Sequence, residues 1–72
     1  MKKIYIVNFD NGEEYAEDRT IYTFKYCYPT QEKALEAIKE LKKDYDFLAD
    51  YVFDREQIQD IDFWITETEL VD

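Results

Sequence analysis

The chain predicts an α+β fold: a small two-layer β-β-α-β domain whose three-stranded antiparallel sheet, in order 2-1-3, carries one long helix across one face. Three observations carry this expectation. Two early runs, 3–9 and 20–28, are rich in β-branched and aromatic residues. An apolar stripe in steps of three and four follows them, and an alternating run occupies 61–70. A length of 72 residues suits one domain, 1–72, near the lower limit for folding without disulfides or metal.

In the first run, Ile4, Tyr5, Ile6, Val7 and Phe9 are apolar on both alternating faces, which suits a central strand. Asp10-Asn11-Gly12 is a turn signal, because Asn-Gly supplies the positive φ angles of a tight turn. The acidic segment 13–19 reads as a loop or a frayed strand. In 20–28, Tyr22, Phe24, Tyr26 and Tyr28 share one face, and Ile21, Thr23, Lys25 and Cys27 share the other. Thr30 is a good helix N-cap. Ala34, Ala37, Ile38, Leu41, Tyr45, Leu48 and Val52 then form a stripe to about residue 52, with a break expected near 44–46 where weaker helix formers enter. Segment 54–60 reads as a loop or short helical turn, and Ile61, Phe63 and Ile65 alternate with polar residues in the third strand. A hairpin and a returning helix place that strand on the free side of the first. One helix covers one face, so the other stays open unless a partner or a second copy covers it.

Composition narrows the function. Asp and Glu number 18 against nine Lys and Arg, there is no His, and the formal net charge is −9. Seven Tyr, five Phe and one Trp accompany this acidity, so the chain is unlike aromatic-poor disordered acidic tails. Acidity disfavours nucleic acid and anionic membranes as direct partners and favours a basic protein surface. The single Cys27 excludes an intramolecular disulfide and fits a reducing cytoplasm. The four apolar residues 4–7 fall short of a signal-peptide core. Without His, and with Cys27 on a strand, nucleophile–base pairs are not expected, so the chain reads as a non-enzyme. Asp54, Glu56, Asp60 and Asp62 lack the glycine of a calcium loop, so neither metal nor cofactor is expected.

Two candidate binding surfaces remain. The acidic one comprises Asp10, Glu13, Glu14, Glu17 and Asp18, the four-residue steps Glu32, Glu36, Glu40 and Asp44, and the steps Asp46, Asp50 and Asp54. A step of four places successive helix carboxylates about 6 Å apart along the axis, close to the spacing of phosphates along a nucleic-acid strand. Such rows cost a helix a few tenths of a kcal/mol per pair. They read either as mimicry of DNA or as a solvated face that keeps a small protein soluble. The aromatic surface comprises Tyr22, Tyr26, Tyr28 and Trp64. These rings read either as docking anchors, including for a homodimer, or as ordinary core and strand residues.

The runs Lys3-Ile4-Tyr5-Ile6-Val7, Tyr26-Cys27-Tyr28-Pro29-Thr30-Gln31-Glu32-Lys33-Ala34 and Phe63-Trp64-Ile65-Thr66-Glu67-Thr68-Glu69-Leu70 resemble a family of very small proteins of bacteriophages and mobile elements. The resemblance spans most of the chain and marks structure, with no catalytic residue to carry over. This chain departs from the pattern at Tyr28-Pro29 and in a longer, more acidic 44–62 segment. The resemblance implies a phage-encoded inhibitor of host defence, similar to anti-CRISPR proteins and working in the bacterial cytoplasm. Such an inhibitor would occupy the basic nucleic-acid channel of a nuclease. The alternative is a small homodimeric accessory domain that associates through its aromatic sheet face, with acidity serving solubility alone.

Overall fold

A computed structural model describes residues 2–70. Strands β1 (Lys2–Asp10), β2 (Ile21–Tyr28) and β3 (Phe63–Leu70) form an antiparallel sheet in the order β2-β1-β3, so β1 is central as its two apolar faces require. Helix α1 (Gln31–Lys43) and the short helix α2 (Tyr45–Ala49) lie on one face. The helix starts at Thr30, whose hydroxyl accepts from Lys33 N–H at 3.2 Å.

The apolar stripe that runs to about residue 52 is divided at the expected break. Asp44 leaves the helical region (φ −90°, ψ 76°), and its carboxylate accepts from Phe47 N–H at 3.2 Å. Aspartate competes with the helix for backbone donors, so it ends α1 and caps α2 in one residue. A 3-10 turn, Arg55–Asp60, follows with Asp54 as its cap and Gln57 closing the capping box. β3 begins two residues later than the alternation suggests, because Ile61 is buried and its N–H closes that turn on Ile58.

The β1–β2 connection is longer than a tight turn. Asp10 Oδ1 accepts from Gly12 N–H at 2.9 Å and Asn11 Oδ1 from Glu13 N–H at 3.3 Å. The chain then makes a 3-10 turn, Ala16–Asp18, before β2. Gly12 has φ +73°, and a Cβ there would lie 2.5 Å from the Gln57 carbonyl oxygen. Glycine thus allows this loop to rest against the Arg55–Asp60 turn, where Gln57 Nε2 donates to Glu13 at 2.8 Å.

The core lies between helices and sheet in two joined parts. Val7 meets Ala34, Ile38 and Leu41 beneath α1. Phe9 meets Leu48, Ile58 and Ile61 beneath α2 and the second 3-10 turn. Rings of Tyr22, Phe47, Tyr51 and Phe63 surround Phe9 at centroid distances of 5.1–6.0 Å. Register follows from alternation: Tyr5, Val7, Phe9, Tyr22, Tyr28, Phe63 and Ile65 face the helices. Most of the β2 aromatic row therefore belongs to the covered side, and the uncovered side carries Ile4, Ile6, Ile21, Cys27 and Trp64.

Candidate functional site

The corner at Pro29-Thr30 turns the chain from β2 directly into α1, so the exposed flank of the helix stands beside the rings of β2. Between them runs an open groove of about 860 Å³. Phe24, Tyr26 and Tyr28 line its strand side, and Lys33, Glu36, Ala37, Glu40, Leu41, Lys43 and Asp44 its helix side. Lys33, Ala37, Glu40 and Asp44 follow steps of four, three and four, the spacing of a single helix face. Alanine at 37 is small, which keeps the groove from being filled by its own wall.

Tyr26 owes its position to an irregularity in β2. Between the pairs Ile6–Cys27 and Asn8–Thr23, three β2 residues stand opposite Val7 alone. The Tyr26 ring packs edge-on against Phe24 at 5.4 Å and remains 55% exposed. Lys25 Nζ lies 5.0 Å from its centroid, so this ring already holds a cation near its face. Burial pushes the Tyr28 phenol above its ordinary pKa, with the neighbouring Tyr26 and Cys27 adding to the effect. At neutral pH it is an uncharged hydroxyl beside the carboxylates.

The structure divides the predicted acids by occupation. Asp10 is buried, accepts from Gly12 and Asp62 N–H at 2.9 and 3.1 Å, and has Arg19 at 3.9 Å. Asp44 and Asp54 serve as caps, Glu13 accepts from Gln57, and Asp46 stands 3.8 Å from Arg55. Glu14, Glu17, Asp18, Glu32, Glu36, Glu40 and Asp50 are exposed. Their carboxylates make no hydrogen bond or ion pair within 4.0 Å among the described residues. Lys39 and Lys43, three residues after Glu36 and Glu40, do not close on them. The acidic segments 13–18 and 54–62 meet at one end of the molecule through Gln57, apart from the helix row.

The predicted rings separate as well. Tyr26 and Tyr28 line the groove, whereas Tyr22 stacks in the core on Phe9 and meets Tyr51 edge-on, and Trp64 stands on the opposite sheet face. Five groove residues lay outside the sequence expectation: Phe24, Lys33, Ala37, Leu41 and Lys43. The small Ala37, on the helix flank next to a strand of rings, is the signal that points to them. Glu36, Glu40, Tyr26 and Tyr28 thus converge, and the site offers carboxylates, ring faces and a neutral hydroxyl together. The carboxylates and rings can receive a guanidinium or ammonium group, although Lys33 and Lys43 of the same lining offset part of their charge. Among the described residues, no three Asp, Glu or Cys side chains gather in a metal-binding arrangement, and no helix is long and apolar enough to cross a membrane.

No protein family's sequence profile matches this chain, and no curated protein or solved structure resembles it at a significant level.

Proposed function

We propose that this protein is a non-enzymatic binding module that occupies the basic nucleic-acid-binding surface of a partner protein. Its acidic row replaces the phosphates and its tyrosines anchor the contact. The observation that carries this reading is the convergence of unpaired carboxylates of α1 with the exposed Tyr26 and the half-buried Tyr28 in one groove. A face serving solubility alone needs no rings beside its acids. As part of the same proposal we place that partner among host defence nucleases, so that binding blocks DNA loading in the bacterial cytoplasm.

Tagged protein incubated with a defence-competent bacterial lysate tests this. The reading expects capture at low salt, release at high salt, and release by added duplex DNA, which competes for the same basic surface. Glu32→Lys, Glu36→Lys and Glu40→Lys combined should abolish capture. Capture that survives the triple reversal, or that DNA does not displace, refutes mimicry.

A further inference from the structure

We infer that the uncovered face of the sheet is where a second copy of this chain packs, sheet against sheet. The product is a weak dimer with its helices on the two outer surfaces. The first ground is charge segregation. Among strand residues that point to this face, the only carboxylate is Asp10, which is buried and engaged by backbone N–H groups. The other strand acids, Glu67 and Glu69, pair across from Tyr5 and Lys3 on the helix side. With a net charge of −9, two copies repel each other on every acid-bearing surface. This face is the approach on which that repulsion is least.

The second ground is what the face presents. Ile4 and Ile6 belong to neither core cluster, and Ile21, Trp64 and Leu70 are 61%, 37% and 46% exposed. The polar centre is largely paired within the sheet: Asn8 Nδ2 donates to Thr66 Oγ1 at 2.7 Å, and Thr23 Oγ1 donates to Asn8 Oδ1 at 3.1 Å. Burying it leaves the Thr66 O–H and the second Asn8 N–H for the partner copy or trapped water to accept. Lys25 bends toward Tyr26, which lines the helix-side groove, and leaves Lys2 as the remaining strand cation of this face.

The size of the face sets the strength. Three strands of eight or nine residues, with spacings of about 4.8 Å between strands and 3.3 Å along them, span roughly 400 Å². That is about half the area per partner of a standard interface, so a weak, transient dimer is expected. Salt should strengthen the dimer, because it screens the mutual repulsion. Binding of a basic partner at the helix groove has the opposite salt dependence, so the two readings fail separately.

Sedimentation of the full chain over about 10 µM to 1 mM reads the dimer directly. Raising NaCl from about 0.05 to 0.5 M, which shortens the Debye length roughly threefold, should lower the dissociation constant several-fold. Trp64 is the sole tryptophan, and its emission should move to shorter wavelength in step with the dimer fraction. Ile21→Glu and Leu70→Glu, each with unchanged far-ultraviolet circular dichroism, should remain monomeric. A monomer throughout in both salts overturns the inference and leaves the face to a different protein. Association that weakens with salt, or that persists in both folded variants, overturns it too.

Discussion

Asp10→Ala should be the most damaging single change among the eighteen acids, although Asp10 sits in the most acidic stretch of the chain. The Asp10 carboxylate is 4% exposed as a residue and accepts from Gly12 N–H at 2.9 Å and Asp62 N–H at 3.1 Å. These bonds tie the start of the β1–β2 loop to the entry of β3. A hydrogen bond to a charged group contributes about 1.5–3 kcal/mol, and partial exposure of the donors argues for the lower half of that range. Arg19, at 3.9 Å and with its side chain 44% exposed, adds at most about 1 kcal/mol. The sum is a loss of about 3–5 kcal/mol, a large share of the stability of so small a domain. Asp10→Asn keeps one acceptor oxygen and should lose about half as much, whereas Glu14→Gln and Glu17→Gln should stay within about 0.5 kcal/mol. Urea unfolding followed by circular dichroism reads these values from the midpoint at constant slope. An Asp10→Ala midpoint indistinguishable from that of Glu14→Gln refutes the division of the acids into structural and surface groups.

Two further outcomes follow from the geometry. Gly12→Ala forces a side chain into the left-handed region and brings Cβ to 2.5 Å from a backbone oxygen of Gln57, so urea unfolding should show a loss of about 2–4 kcal/mol. Tyr28 has a folded-state pKa above the ordinary value of about 10, so the unfolded chain releases its proton first as pH rises. Stability held below that pH should therefore decline as pH climbs through the folded value. Tyr28→Phe should flatten that decline above about pH 10, as read by urea midpoints.

Much of this fold was legible because local chemistry and tertiary need agree. β1 is apolar on both sides and is central, Thr30 caps the helix, and the weak helix formers after Lys43 coincide with the break at Asp44. The β1–β2 connection was less legible. Asn11-Gly12 does supply a positive φ, but Asp10 and Asn11 spend their side chains on the loop backbone, and the chain continues through a 3-10 turn. The acidic site was half legible. A row of four-residue steps is visible in any helical reading, and aspartate at 44 and 54, a preferred cap, sets those two apart from Glu40; which of the remaining acids stay unpaired needed the structure. The aromatic site required the register. Tyr22 and Tyr26 share a strand face, but the two extra β2 residues opposite Val7 leave Tyr26 accessible while Tyr22 packs on Phe9.

The central claim is that cationic groups bind where the α1 carboxylates meet the β2 tyrosines. Titrating isotope-labelled protein with an oligoarginine peptide at low salt, with amide chemical shifts recorded by NMR, tests it most directly. The expected shifts concentrate on Tyr26, Tyr28, Glu36 and Glu40, vanish in Glu36→Lys/Glu40→Lys, and collapse on adding salt. Shifts centred instead on 13–18 and 54–62, or spread evenly over all exposed acids, contradict the claim.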